Sequence, residues 1–130
     1  MFDNNIFLED SCHNIVKHGK TIGYGLRTYI PYYRGIPLSM VNDIQVEVDG
    51  EKAQRNEISF STDGDEWFTL DEMETITTYK WEYDQAAYII VKKEDGLSKG
   101  KHNVKLTVIT RTAYIPIPLE GKKIRQVIIE

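Results

Sequence analysis

The residues best suited to acid–base or metal chemistry are three histidines, His13, His18 and His102. No two of them form an H-x-H pair, and no H-E-x-x-H sequence places two on one helical face. His18 and His102 lie close to glycines in segments predicted to be turns, so we expect both side chains to be exposed. The histidine pattern therefore predicts no metal site in this chain.

Cys12 stands directly before His13 in a segment predicted to be a strand. Neighbouring side chains of a strand point to opposite faces, so a thiol and an imidazole at these positions do not meet. A catalytic cysteine–histidine pair is therefore not expected. Cys12 also has no second cysteine with which to form an internal disulfide or a thiolate zinc cage.

An acidic stretch, residues 63–74, carries six carboxylates and no basic side chain. It lacks the D-x-D-x-D-G spacing of an EF-hand loop. The stretch predicts a solvated acidic loop, with a loose surface calcium site as the alternative. The chain also lacks a Gly-rich phosphate loop, a G-x-S-x-G elbow and a dinucleotide fingerprint, so it predicts no catalytic residue.

Aromatic residues form two patterns of interest. Tyr79, Trp81 and Tyr83 alternate with charged residues and are predicted to face the core together. A second group follows Pro31 and precedes Pro37 in a predicted loop, and Tyr and Arg are residue types favoured at interface hot spots and at sugar-stacking sites. A purely structural turn is the alternative. The residues of this group are Tyr32, Tyr33, Arg34 and Gly35, and we expect a positive φ at Gly35.

The elements that position these residues are predicted from period-two alternation. Ile44, Val46 and Val48 alternate with polar residues, and the run ends at Asp49-Gly50, a dipeptide suited to a tight hairpin. The apolar run 86–91 is typical of a strand buried on both faces. The strands are predicted at residues 12–17, 22–30, 44–48, 58–61, 79–83, 86–91, 104–108 and 124–129.

Short strands separated by Gly-based turns predict an all-β fold, a single-domain antiparallel β-sandwich over residues 1–130. Helix is limited to one or two short turns at most. The best candidate is 69–73, where Thr69 and Glu72 have capping-box spacing. Pro116 and Pro118 cannot donate ladder hydrogen bonds, so the segment around them is expected at a sheet edge or outside the sheet.

Composition and charge disfavour several classes of protein. The chain has 130 residues and a formal net charge of −4, which does not favour a nucleic-acid binder. No apolar run is long enough to span a bilayer, and the first residues do not read as a secretory signal, so a cytoplasmic protein is expected. Residues 1–91 carry 7 basic and 16 acidic side chains, whereas residues 92–130 carry 9 and 4. Solvated strand faces are the favoured explanation of this asymmetry, and a charged docking surface is the alternative.

Five stretches follow one another along nearly the whole chain: MFDNNIFLEDSCHNIV, IPYYRGIPLSMV, VEVDGE, STDGDEWFTLDEM and GLSKGKHNVKLTVITRTAYIPIP. The YYRG loop and the G-K-H-x-V-K-L segment from Gly100 to Leu106 are the more distinctive of them. On these stretches the chain resembles the small β subunit of bacterial C-glycoside deglycosidases.

This resemblance implies a hetero-oligomer of αβ pairs. A larger α subunit, similar to TIM-barrel sugar isomerases, would hold a divalent metal, usually manganese, and the catalytic residues. The implied substrate is a flavonoid or related aromatic C-glucoside that another enzyme has already oxidised to the 3″-keto sugar. The ketone acidifies the proton at C2″, and elimination then breaks the C–C bond to the aglycone in a lyase step. For this chain the resemblance implies an accessory role, with no catalytic or metal-ligating residue of its own. The predicted contact with the α subunit is the loop of Tyr32, Tyr33, Arg34 and Gly35.

Two other functions compete with this interpretation. An independent carbohydrate-binding module would stack sugars on Trp67, Trp81 or the loop tyrosines. Such modules are usually tethered to a catalytic domain or secreted, and the chain shows neither linker nor signal. A stand-alone β-sandwich enzyme is the least favoured, because no set of acid, base and nucleophile can be assembled from the sequence.

Overall fold

Period-two alternation along the chain gives a fold of antiparallel strands. The computed structural model describes residues 5–31, 34–112 and 115–129, and within these ranges it contains eleven strands. They are β1 (His13–Lys17), β2 (Lys20–Thr28), β3 (Ile36–Pro37), β4 (Val41–Val48), β5 (Glu51–Lys52), β6 (Ile58–Ser61), β7 (Phe68–Thr69), β8 (Lys80–Trp81), β9 (Ala87–Lys92), β10 (Gly100–Thr112) and β11 (Ile115–Ile129).

The strands form two larger sheets and one small sheet. The five-stranded sheet has the order β1-β2-β9-β6-β7, and the four-stranded sheet has the order β11-β10-β4-β5. β3 and β8 pair with each other alone. Every pairing is antiparallel, as the hairpin signals predict.

The two larger sheets bury one shared apolar core. Alternate positions of β10 point into it, and Val104, Leu106 and Val108 are fully buried. From the five-stranded sheet, Phe60 and Ile89 are equally buried within the same cluster. The predicted all-β antiparallel sandwich is therefore confirmed.

The central strand β9 is fully buried on one face only, which corrects the prediction of burial on both. Ala87, Ile89 and Val91 face the core, whereas Tyr88 is half-buried on the other face. There the Arg27 guanidinium lies over the Tyr88 ring at 4.1 Å from its centroid. An outer layer of side chains, rather than a second core, covers this face.

Two predicted hairpin turns form as expected. At Asp49 and Gly50 the φ angles are 51° and 87°, and at His18 and Gly19 they are 52° and 77°. Consecutive positive φ values match the twist of the flanking strands. The first turn joins β4 to β5, and the second joins β1 to β2.

Helical structure is confined to short turns, as predicted. The α-helix α1 (Leu70–Met73) begins with the predicted capping box, in which Thr69 and Glu72 each accept a hydrogen bond from the other's backbone N–H. Two 3-10 turns, at Leu38–Met40 and Arg55–Glu57, were not predicted. No helix in the described ranges has the length and apolar character needed to cross a membrane.

The proline segment lies at a sheet edge, as predicted. It belongs to β11, which pairs with β10 on one side and forms the edge of the four-stranded sheet. β11 is longer than the predicted strand 124–129. The sequence signal is weak at Ile124, which is exposed and stands between the partly buried Lys123 and Arg125.

The segment preceding β1 closes one side of the sandwich, a feature the sequence did not predict. Ile6 and Phe7 are fully buried, and Leu8 donates a backbone hydrogen bond to Arg27 at 2.9 Å. Arg125, on β11, donates from Nε to the carbonyl of Phe7. The segment therefore ties β2 of the five-stranded sheet to β11, an edge strand of the four-stranded sheet.

We predict that Gly121→Ala lowers the free energy of unfolding by about 1–3 kcal/mol through overpacking. An added Cβ would come within 2.6 Å of the Pro31 Cβ and 2.7 Å of the Ile6 Cγ1. Urea denaturation of the purified chain measures this loss.

The matched control is Gly121→Ala in an Ile6→Ala background, which removes two of the three nearest atoms. There the added methyl is expected to cost less than in the wild-type background, because neighbouring substitutions are not additive. Equal costs in the two backgrounds would contradict the packing described.

Candidate functional site

The predicted docking loop is described in part. Tyr32 and Tyr33 lie outside the described residues, so their predicted role stays a prediction. Arg34 is exposed, and Gly35 is partly buried. The loop is anchored on both sides by buried residues, Pro31 before it and Ile36 after it.

Gly35 packs closely against a neighbouring segment, and its φ angle is not positive. The prediction of a positive φ at Gly35 is wrong, because the backbone of Gly35 does not adopt the left-handed conformation. A Cβ at this position would lie 3.1 Å from the carbonyl oxygen of Trp81 and 2.7 Å from Oε2 of Glu82. The loop therefore lies directly against the segment that contains Trp81.

A short ladder joins these two segments. Ile36 pairs with Trp81 and Pro37 pairs with Lys80 in the β3–β8 sheet. The Trp81 ring is fully buried, packs edge-on against Phe60 at 5.0 Å between centroids, and donates its indole N–H to the carbonyl of Gln85 at 2.9 Å. A buried indole with a satisfied N–H is a rigid anchor.

The core prediction is right for Trp81 and wrong for Tyr79 and Tyr83. Tyr79 is 41% exposed and Tyr83 is 57% exposed. Strand pairing covers only residues 80 and 81, and the chain then turns back through residues 82–85. Because the strand ends so early, the period-two rule does not extend to Tyr83. The Tyr79 ring packs in part against Phe68, at 5.4 Å between centroids.

These residues define a surface that we call the aromatic end, formed by Arg34, Tyr79 and Tyr83. Glu82 and Asp84, beside Tyr83, are also exposed. Tyrosine and arginine are enriched at protein–protein hot spots, since each combines a large contact area with a polar group. The composition of the aromatic end therefore suits docking better than chemistry.

His102 occupies a different environment from the predicted exposed turn. It lies within β10, and only 11% of its side chain is exposed. Its Nδ1 is 2.7 Å from Oδ2 of Asp49, and its Nε2 is 2.7 Å from the backbone carbonyl oxygen of Ser98. His18, by contrast, is exposed in its turn as predicted.

Both partners of His102 are acceptors, so both ring nitrogens donate. The Ser98 carbonyl and then the Asp49 carboxylate raise the pKa of His102 above its ordinary value. The pKa of Asp49 is lowered, first by the backbone N–H of Asn103 and then by His102. The cluster therefore holds a charged pair that fastens the β4–β5 hairpin to β10.

The same cluster contains a Ser–His–Asp sequence of contacts, because the Ser98 hydroxyl lies 3.4 Å from Nε2 of His102. A general base needs a free lone pair on that nitrogen, but the nitrogen donates to the Ser98 carbonyl at a shorter distance. The contacts border a cleft of about 370 Å³. We assign the cluster a structural role.

The acidic stretch 63–74 is more organised than a solvated loop. The Asp63 carboxylate accepts backbone N–H groups from Asp65 and Glu66, which lower its pKa. Asp65 and Glu66 themselves are exposed, as predicted. The alternative calcium site does not form, because no three His, Cys, Asp or Glu side chains in the described ranges are placed to hold a metal ion.

Two further carboxylates of this stretch bind an arginine far away in sequence. Arg55 contacts Asp71 at 2.9 Å, Glu74 at 3.3 Å and Asp43 at 2.7 Å. The contacts tie α1 to β4 and to the 3-10 turn at Arg55–Glu57. Sequence spacing alone gives no signal for such a long-range cluster.

Cys12 and His13 lie in different local environments. Burial raises the pKa of the Cys12 thiol to about 11, so the thiol stays protonated at neutral pH. The Nδ1 of His13 donates to the carbonyl of Ser11 at 3.0 Å. The thiolate that a nucleophile requires is therefore not available here.

Sugar stacking on the tryptophans is disfavoured by their positions. Trp81 is fully buried and offers no face to a ligand. Trp67 is partly buried, packs at an angle against Tyr88, and donates its indole N–H to the carbonyl of Gly64 at 3.1 Å. An exposed flat aromatic platform, which a carbohydrate-binding module needs, is not formed by either residue.

The family of this chain is shown by comparison with models of known protein families. The family model for the C-glycoside deglycosidase beta subunit matches residues 2–114. The chain belongs to this family. The family resemblance stated from the sequence is thereby confirmed.

Two characterised relatives agree with this assignment. A C-glycoside deglycosidase beta subunit from Eubacterium cellulosolvens is 30% identical over 99 residues, which cover 76% of this chain and 67% of the relative. A 3'-dehydrocarminate deglycosidase beta subunit from Microbacterium is 28% identical over 119 residues, covering 90% and 83%. A beta subunit implies a partner subunit. The aromatic end lies inside the matched range, whereas β11 lies beyond it.

We predict that His102→Ala lowers the melting temperature by a few degrees at pH 6 and by less at pH 9. The raised pKa means that the folded state binds the proton more tightly. This stabilisation is fully present below about pH 6.5, the ordinary value, and is lost as pH rises through the pKa of folded His102. Asp49, with its lowered pKa, loses its contribution as pH falls through that lowered value.

Thermal melts between pH 4 and pH 9 measure the difference between the wild type and the variant. His18→Asn is the matched control, because His18 is exposed in a turn with positive φ that asparagine tolerates. A His102 effect that is constant across this range, or that grows with pH, would contradict the charged-pair assignment.

Proposed function

We propose that this chain is the accessory β subunit of a heteromeric lyase that cleaves the C–C bond between sugar and aglycone in 3″-keto C-glucosides. The family match over residues 2–114 is the observation that carries the proposal. The name of the Microbacterium relative adds support for a keto sugar, since its substrate is a 3'-dehydro compound. Flavonoid C-glucosides are the proposed substrate class.

The proposed reaction is an elimination. A ketone at C3″ acidifies the proton at C2″, and a base removes that proton. The electron pair forms a double bond between C1″ and C2″ while the bond from C1″ to the aglycone breaks. The phenolic ring of the aglycone accepts the released pair and then a proton, so no water is consumed. We place the base in the α subunit, which the resemblance likens to TIM-barrel sugar isomerases.

The reactive groups of this chain support an accessory role. His102 donates from both ring nitrogens, and the Cys12 thiol stays protonated. Asp71 and Glu74 are held by Arg55. Each of these groups is therefore engaged in structure or held in an unreactive protonation state.

The divalent metal implied by the resemblance does not fit the donor groups of residues 5–31, 34–112 and 115–129, where no three His, Cys, Asp or Glu side chains are placed to hold a metal ion. Histidine, the commonest nitrogen ligand, needs a free ring nitrogen, and His102 has none. His13, His18 and His102 lie at three separate places, in or beside β1 and in β10. We therefore assign the metal, proposed to be manganese, to the α subunit.

The remaining proposals concern the subunit assembly and the cellular location of the protein. The chain is proposed to form αβ pairs in a hetero-oligomer, with the loop of Tyr32, Tyr33, Arg34 and Gly35 against the α subunit. A cytoplasmic location stays a prediction from the sequence.

We predict that the isolated chain has no lyase activity and that activity appears when the α subunit is added. We expect this result because both ring nitrogens of His102 donate hydrogen bonds within the chain and the Cys12 thiol stays protonated. The assay follows release of the aglycone from a 3″-keto C-glucoside in the presence of manganese, with the α subunit alone as the control. Turnover by this chain alone would contradict the accessory role.

We predict that His13→Ala, His18→Ala and His102→Ala each leave the manganese content of the assembled complex unchanged. Removing a metal ligand typically costs a large factor in metal affinity, so a true ligand would be evident. Metal analysis of complexes purified by size exclusion gives the stoichiometry. Loss of manganese from an intact complex of any one variant would place a ligand in this chain.

A further inference from the structure

We propose that the aromatic end, centred on Tyr83 in the turn of residues 82–85, is the surface on which the α subunit docks. This inference rests on the proposed function, because it needs the partner that a beta subunit implies. It extends the sequence prediction, which named only the YYRG loop and assigned Tyr79 and Tyr83 to the core.

The choice of surface follows from where exposed apolar side chains lie. In the described part of the chain the large exposed ones are Val16, Tyr79, Tyr83, Ile117, Ile124 and Ile128. The three isoleucines belong to β11, which begins after the residues that the family model matches. Val16 on β1 and the two tyrosines lie within the matched residues. Of these, the tyrosines flank the segment against which Gly35 packs, because Gly35 lies against Trp81 and Glu82.

The 82–85 turn is held rigidly by its own hydrogen bonds. Gln85 donates its backbone N–H to the carbonyl of Glu82 at 3.1 Å, and the Gln85 side chain accepts the N–H of Glu82 at 3.3 Å. The Trp81 indole N–H binds the Gln85 carbonyl from the core side. Because the turn is already ordered, little conformational entropy is lost when Tyr83 docks.

Gly35 and the exposed Arg34 belong to the same surface. Gly35 lies against the Glu82 side chain and the Trp81 carbonyl, so Arg34 is within one residue of that contact. The β3–β8 ladder fixes the relative positions of the two segments. Docking elements that are far apart in sequence are thus joined by the Trp81 anchor.

Charge indicates the chemistry of the occupant. Tyr83 stands between Glu82 and Asp84, and all three side chains are exposed. A complementary surface offers an apolar pocket for the Tyr83 ring, with basic groups around it. We therefore expect a pocket with a basic rim on the α subunit.

The test measures the dissociation constant between this chain and the α subunit of the same organism by titration calorimetry. Tyr83→Ala is expected to raise the constant about tenfold to thirtyfold, as loss of a hot-spot ring does. Tyr83→Phe keeps the ring and is expected to stay within about threefold of the wild type. Gln85→Ala, which loosens the turn, should give a smaller rise than Tyr83→Ala.

Ile128→Ala is the matched control, since Ile128 is 64% exposed and Tyr83 is 57% exposed. It lies at the far end of β11 from the β10–β11 turn and should leave affinity unchanged. Melting of each free variant accompanies the titrations. Tyr83→Ala is expected to leave the melting temperature nearly unaltered, because the side chain is largely exposed.

The outcomes separate the inference from the proposed function. If the wild type binds the α subunit and Tyr83→Ala binds with the same dissociation constant, the proposed docking surface is wrong. The proposed accessory role would stand. Failure of the wild type to bind the α subunit would overturn both. Self-association of the isolated chain that Tyr83→Ala abolishes would identify the occupant as a second copy, and the assignment to the α subunit would be wrong.

Discussion

The indole of Trp81 packs edge-on against Phe60 and is fully buried, and the geometry of the neighbouring chain follows from this contact. Its N–H needs an acceptor in the interior, and the Gln85 carbonyl supplies one only if the chain turns back at residues 82–85. That turn exposes Tyr83. The same anchor brings Gly35 against Glu82. One buried ring therefore determines which aromatic groups the molecule presents to a partner.

Most of the fold could be predicted because local signals determine it. Alternation in β4 and β10, and the turn at Asp49-Gly50, depend on neighbouring residues and form as predicted. Other features are determined by tertiary contacts. β8 is cut short by the turn after Trp81, and the carbonyl of Phe7 accepts a hydrogen bond from Arg125, far along the chain. Neither effect leaves a periodic signal.

The candidate site could be predicted only in part. The loop containing Arg34 was identified from residue types, but its neighbour Tyr83 was assigned to the core by a period-two rule that fails beyond the strand. The position of His102, two residues after Gly100, suggested a turn, whereas His102 lies in β10 and its two acceptors come from Asp49 and Ser98. Those partners lie on other elements, and sequence spacing does not reveal them.

We propose that this β subunit acts through a docking surface and leaves the chemistry to its partner. The decisive experiment is a structure of the complex with the α subunit and a bound 3″-keto C-glucoside analogue. In that structure we expect the Tyr83 ring to be buried in a basic-rimmed pocket of the α subunit and His102 to be remote from the ligand. A complex in which Tyr83 stays in solvent, or in which His102 contacts the reacting carbons, would contradict it.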